Sequence, residues 1–306
     1  MNDATTTIPT VGEDLSEAVR NSAMLADITI SVWSGTRLDK RVTEQVRVGN
    51  NAVGKAGRYT KNLFAGCDEK LKAVQGAYHA ARTLHYESTL PWSHNQRQSG
   101  PRLLSNIMFL DYIKNMTKLK KQAEALLETF LGAYPTLTVL AQANLGTLAN
   151  PDDYPTVDEI RSAFDLDFEF TPIPQGSMFK GLPDNALRGL GKALEGRQAR
   201  AAAAAQAAMW DRVKAAIGAL VDRLTLDGSN EVKTFKSTTV ENVRALITLL
   251  PGFNVTNDRR VSTTIDDIHL MLAGVDADSI RREDRTREHV LRQASEIADR
   301  LRNWGL

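Results

Sequence analysis

"IMFLDYIKNMTKLKKQAEALLETFLGAY", Ile107–Tyr134, is the stretch on which the fold turns. Phe109, Tyr112, Ile113, Met116, Leu119, Ala123, Leu126, Leu127 and Phe130 recur at spacings of three and four, which lays one apolar stripe along a helix. A strand would need a period of two. A long amphipathic helix near the middle of the chain makes helix packing the organising theme. Pro135 is expected to end this helix, with one further helix in "TLTVLAQANLGTLANP" before Pro151 and Pro155 close the region.

On its N-terminal side lies a loop, "STLPWSHNQRQSGPRLLSN" (Ser88–Asn106), and before it a second helical pattern from Leu38 to about Glu87. Val42, Val46, Val53, Leu63, Leu71, Val74, Tyr78, Ala81 and Leu84 fit its faces. Gly49, Gly54, Gly57, Gly66 and Gly76 interrupt it, each costing about 1 kcal/mol against Ala in a helix interior. A break is therefore expected near Gly49–Gly57 or Gly66. "LADITISVWSG" (Leu25–Gly35) alternates Ile28, Ile30 and Val32 with polar residues and reads as a strand.

On the C-terminal side, Thr156 and Glu159 in "TVDEIRSAFDLDFEFTPIP" have the spacing of a capping box. Leu166, Phe168 and Phe170 then alternate with acids, a half-buried strand whose expected partner is Ile28–Val32. Leu182–Gly191 reads as a connector or short helix and Leu194–Leu226 as a second long helix. Its alanine-rich half, "ARAAAAAQAAMW", is expected to meet another helix closely through Ala203 and Ala207, within the chain or across subunits. Three more helices follow, the first stopped by Pro251.

The expected fold is mainly α: an elongated helical bundle with long helical hairpins and a small β-sheet joining distant segments. Residues 1–24 form a tail and lead-in, 25–155 a strand plus the first hairpin, and 156–306 a short helix, a strand and the second bundle, together one continuous body.

The chain has 306 residues, 42% hydrophobic and 25% charged, which is globular composition and not that of a disordered chain. A net charge of +1 provides no global field toward nucleic acid or membrane. One cysteine, Cys67, excludes an intramolecular disulfide framework and suits a reducing compartment. The N-terminal residues lack a basic segment followed by an apolar core, and no stretch reaches the roughly 20 apolar residues of a membrane span. The expected setting is the cytoplasm, with no membrane partner.

Catalytic signatures are weak. "GNNAVGKAG" places Ala56 where a phosphate loop needs Ser or Thr for magnesium, and "LRGLGKALEG" follows no strand. The histidines His79, His85, His94, His269 and His289 form no zinc spacing, and Asp276 and Asp278 suit a helix start better than a calcium loop. No enzyme, metal or cofactor is expected.

Two binding candidates remain. Arg37, Lys40, Arg41, Arg47, Lys55, Arg58 and Lys61 stand against two acids between positions 37 and 61, a local excess suited to phosphate contact. Trp92, His94, Arg97 and Arg102 join the loop between the helices, and Trp and Arg are the residues that most often dominate contact energy. Both have plainer readings: a solvated helix face for the first, and for the second a loop fastened to the helix ends.

Taken in order, "ITISVWSGTRLD", "TLPW" with "GPRLL", "YPTVDEIRSAFDLDFEFTPIP" and "LITLLPGFNVTNDRRV" resemble an uncharacterised family of phage and plasmid proteins. Its members are often encoded near MoxR-type ATPases and proteins similar to cobalt chelatase subunits. The resemblance spans about Leu25 to Leu301 and leaves out the N-terminal tail and the alanine-rich helix. It brings no activity and no catalytic residues. It implies a mobile element in a bacterial host and a partner ATPase, and it makes Gly100, Arg102 and Leu103 family-pattern positions. The expected function is a non-catalytic, homo-oligomeric interaction and assembly protein of a phage or mobile element. The alternatives are a nucleic-acid-associated protein of phage replication or recombination, and an adaptor for a MoxR-type ATPase.

Overall fold

The computed structural model of the chain describes residues 13–92, 100–175, 183–225, 235–254 and 258–305. It is mainly α, 69% helical, with a small four-stranded antiparallel sheet. The elements in chain order are α1 (Glu13–Ser22), β1 (Ala23–Ser31), β2 (Thr36–Leu38), α2 (Lys40–Gly49), β3 (Thr60–Asn62), α3 (Glu69–Ser88), β4 (Leu90–Pro91), β5 (Arg102–Ser105) and α4 (Phe109–Leu145). They continue with α5 (Val157–Ser162), β6 (Asp165–Thr171), α6 (Asp184–Leu224), α7 (Ser237–Phe253), α8 (Arg259–Met271), α9 (Ala277–Arg282) and α10 (Asp284–Asn303).

The four strands lie in the order β4-β5-β1-β6, so β1 and β6, distant in sequence, are neighbours as their alternation led one to expect. Ala23–Ala26 of β1 pair antiparallel with Ser105–Arg102 of β5. β2 and β3 form a separate two-stranded ladder, Thr36 opposite Asn62 and Leu38 opposite Thr60.

The chain divides into two compact units, each assembled from separated segments. One comprises residues 1–27, 87–110 and 169–306, the other 28–86 and 111–168. These boundaries do not coincide with cuts at 24 and 155, because β1, α3, α4 and β6 each run from one unit into the other.

In the first unit α6 is the spine, 41 residues long. Ala202, Ala205, Met209, Trp210, Val213, Ile217, Leu220 and Leu224 enter one core with apolar residues of α7, α8 and α10. α1 also lies against α6, with Arg20 Nη1 donating to Gln198 Oε1 at 3.0 Å, and Val19 joins the same core. Small alanines allow such an approach. Within the chain the ones that supply it are Ala201, Ala202 and Ala205; Ala203 and Ala207 are exposed, which corrects the expected register of an intrachain contact. The segment before Leu194 is not a connector, since α6 begins at Asp184 and runs through Gly189, Gly191 and Gly196.

In the second unit α4 carries the core. Tyr112, Met116, Ala123, Leu127, Phe130, Leu131, Tyr134 and Ala141 are buried along it. Pro135 does not end this helix; it lies inside a single run of 37 residues. Proline removes one ladder bond, but the buried stripe continues past it to Ala141, and tertiary packing of the stripe holds the helix together. Pro251 likewise sits inside α7, which runs on to Phe253.

Phe64 is the centre of an aromatic cluster, with ring centroids 5.9 Å from Trp33, 5.8 Å from Phe130, 5.9 Å from Tyr134 and 5.9 Å from Tyr154. Burial pushes the Tyr154 phenol up to about 12, and its hydroxyl donates to Leu63 O at 2.9 Å. Gly35, at φ +67°, lies so close to Leu71 that a Cβ there would stand 2.4 Å from its Cδ2. Only glycine meets both demands. The expected break of the Leu38–Glu87 pattern is real and wide: residues 50–68 separate α2 from α3 and include β3.

Candidate functional site

Of the segment Ser88–Asn106 before α4, residues 88–92 and 100–106 are described. Two short strands lie in it, with Leu90 opposite Leu103 and Pro91 opposite Arg102. Arg102 is buried, and its guanidinium is spent internally: Nε donates to Thr89 Oγ1 at 2.7 Å and Nη2 to Thr89 O at 3.1 Å. The Thr89 carbonyl also accepts from Arg212 Nη2 at 2.6 Å, and Arg212 stacks 4.9 Å from the Phe253 ring centre. Trp92 is half-buried and packs against the core of the first unit. Arg102 therefore fastens the loop and is not available at a tip. His94 and Arg97 lie outside the described residues.

The basic stretch is where the second unit opens. β2 and β3 pair at the neck of an excursion, residues 39–59. Asp39 N donates to Tyr59 O at 2.9 Å, and Tyr59 N to Thr43 Oγ1 at 2.9 Å, which closes the returning chain onto the start of α2. Asp39 is the N-cap, its carboxylate accepting from Val42 N at 2.9 Å. That bond, and the ammonium of Lys61, hold the Asp39 carboxyl below its ordinary range.

All seven basic residues read from the sequence line two clefts in this unit. Arg37, Lys40, Arg41 and Lys61 border a polar cleft of about 890 Å³ together with Asp39, Asp153 and the 147–150 segment. Lys61 is only 4% exposed; its Nζ lies 2.6 Å from Asp153 and 3.4 Å from Asp39 and donates to Leu148 O at 2.7 Å. Arg37 pairs with the same Asp153 at 3.6 Å, and Arg41 Nη2 donates to Thr147 O at 3.0 Å. This cleft is therefore stitched across its base by its own cations.

The other cleft, about 580 Å³, is lined by Thr43, Glu44, Val46 and Arg47 of α2, by Asn50, and by residues 52 and 54–59. Arg47 braces it, Nε donating to Glu44 Oε2 at 2.8 Å and Nη1 to Ala52 O at 3.2 Å. Lys55 and Arg58 line the same cleft, are exposed, and have no hydrogen bond or ion pair among the described residues. α2 buries none of its residues, and Val46, Val48 and Val53 are 54%, 58% and 95% exposed. In the sequence Val46 and Val53 fit the faces of the helical pattern from Leu38 to about Glu87. Their exposure could not be read from period alone.

The nucleotide-binding fragments have other uses. Residues 49–57 follow a helix and precede β3, the reverse of a phosphate loop's strand-to-helix order. "LRGLGKALEG" is continuous helix within α6. Asp276 caps α9, accepting from Ser279 N at 2.7 Å. Among the described residues no three of His, Cys, Asp and Glu converge on a point, and no helix is long and apolar enough to cross a membrane.

Compared with known proteins, the chain matches no family model, no curated protein and no solved structure.

Proposed function

We propose that this chain is a non-catalytic interaction protein that holds a protein partner on the lobe formed by α2 and residues 50–59. The observation that carries the reading is α2 itself: an amphipathic helix that buries none of its residues, with the exposed Val46 lining one cleft together with two unengaged cations, Lys55 and Arg58. An apolar face left uncovered beside polar residues is how soluble proteins mark contact surfaces. The titratable groups at the base of the polar cleft, Asp39, Lys61 and Asp153, bond to one another, which supports a structural role for them over a catalytic one. The resemblance to phage and plasmid proteins supplies the setting: assembly within a mobile element, with a second copy of the chain or a neighbouring MoxR-type ATPase as partner.

A second reading, association with nucleic acid in phage replication or recombination, is favoured by the gathering of all seven basic residues on two clefts of one unit. Salt separates the two. Phosphate contacts release counterions and weaken steeply as salt rises, whereas an apolar contact does not. The test is capture of partners, after nuclease treatment, from cells expressing the native neighbouring genes, alongside titration with single-stranded and duplex DNA at two salt concentrations. The expected result is a nuclease-resistant partner whose capture Val46→Asp abolishes. Unchanged capture by Val46→Asp overturns the site; steep, salt-sensitive DNA binding transfers it to the second reading.

A further inference from the structure

Resting on the interaction reading above, we infer that the smaller cleft of the lobe takes an acidic amphipathic segment of the partner protein. One apolar side chain of that segment sits on Val46, Ala52 and Ala56, and its flanking carboxylates meet Lys55 and Arg58.

The size, lining and charge of the cleft each constrain the occupant. Its volume of about 580 Å³ falls within the span of about 300–1,000 Å³ typical of ligand-sized concavities, enough for one or two large side chains and too small for a folded domain. Val46 and two alanines line it, together with Tyr59. The only acid that lines it, Glu44, is already engaged by Arg47, so the unengaged charge it presents is positive: Lys55 and Arg58. Complementarity then demands apolar and negative groups side by side, as on one face of an acidic helix.

Nucleic acid meets these demands less well. Of the seven cations, Arg37, Arg41, Arg47 and Lys61 are occupied within the unit. The most exposed large apolar residues are Val, Leu and Ile, and the one aromatic lining the cleft, Tyr59, is half-buried, so no row of stacking platforms stands there. Strand binding without sequence preference relies on a row of available cations and on aromatic stacking platforms. Aliphatic side chains give a base or a phosphate little to hold.

The test pans a displayed random peptide library on the immobilised full chain, then titrates the recovered peptides in solution. The proteins titrated are wild type, Val46→Asp, the double variant Lys55→Glu/Arg58→Glu, and Lys192→Glu on α6 as a charge control. All the substituted residues are exposed, and circular dichroism checks that the fold is kept. The expected peptides carry Leu, Ile or Phe flanked by Asp or Glu. Their affinity falls about tenfold or more in the double variant, falls in Val46→Asp and holds in Lys192→Glu. Peptides that need Val46 but ignore Lys55 and Arg58 overturn the acidic assignment and leave the interaction reading standing. Recovery of no peptide that depends on the lobe overturns both. Tighter binding of a single-stranded oligonucleotide or of phosphatidylserine vesicles through Lys55 and Arg58 overturns the assignment in favour of those surfaces.

Discussion

α2 and α10 are alike in pattern and opposite in fate. Both are charged helices with a distinct apolar side, α2 of 10 residues and α10 of 20. α10 buries Val290, Ala294, Ile297 and Leu301 against a core shared with α6 and α8. α2 buries nothing. Full burial of a side chain such as Val or Leu is worth about 1.5–3 kcal/mol, so α10 is held by its neighbours. α2 is held at its ends, by the Asp39 cap and by the β2–β3 ladder at the neck of the excursion. An amphipathic period says that a face is to be covered, and leaves unsaid whether the cover comes from the same chain.

Three changes break or sharpen this contrast. The largest effect is expected from truncation in the α6 core. Ile217 is fully buried, so Ile217→Ala is expected to cost about 2–5 kcal/mol, while Val46→Ala on α2 stays within about 0.5 kcal/mol. Denaturant titration of both variants checks this; a comparable loss in Val46→Ala would mean that α2 is covered after all.

A smaller effect is expected from adding volume. Ala205 is buried and Ala203 exposed on the same helix. Ala205→Leu is expected to overpack the α6 contact and cost about 1–3 kcal/mol, with Ala203→Leu nearly neutral. Equal melting temperatures for the two would show that the face is loose.

The smallest concerns acid. The folded Asp39 carboxyl titrates below its unfolded value, first through the Val42 N–H and then through Lys61. Its contribution is thus complete above the ordinary aspartate range and is lost as pH falls through the lowered folded value, below about 4. Asn still caps a helix, so Asp39→Asn keeps the cap and removes the charge. Melting temperature followed from neutral pH downward is expected to fall less steeply in that variant. An identical acid decline assigns the lability to other carboxylates.

Much of the fold was legible where a period ran long. The stripe from Phe109 to Phe130 marked α4, the alternations at Ile28–Val32 and Leu166–Phe170 marked neighbouring strands, and Thr156 with Glu159 marked the start of α5. β4 and β5 escaped because they are two and four residues long, and β5 is buried throughout, so nothing alternates. Pro135 misled because its local cost is visible in sequence and the packing that overrides it is not. The basic stretch was legible as a cluster. Its division into a stitched cleft and an open one depends on Asp153 and Thr147, far along the chain, and no spacing rule connects them to Arg37 or Arg41.

Trp210 offers a use unrelated to binding. Its ring is buried in the first unit, 6.1 Å from the Trp304 ring, and its indole N–H has no hydrogen-bond partner among the described residues. Trp33 sits in the other unit, edge-on to Phe64. An indole shielded from water and from hydrogen bonding emits at shorter wavelength than a hydrated one, so loss of the first unit's core registers as a red shift. Trp33→Phe leaves Trp92, Trp210 and Trp304, all in the first unit, so the shift that remains belongs to that unit and the part that is lost belongs to the other. The chain thus carries its own colour code for asking whether its two units melt together or in turn.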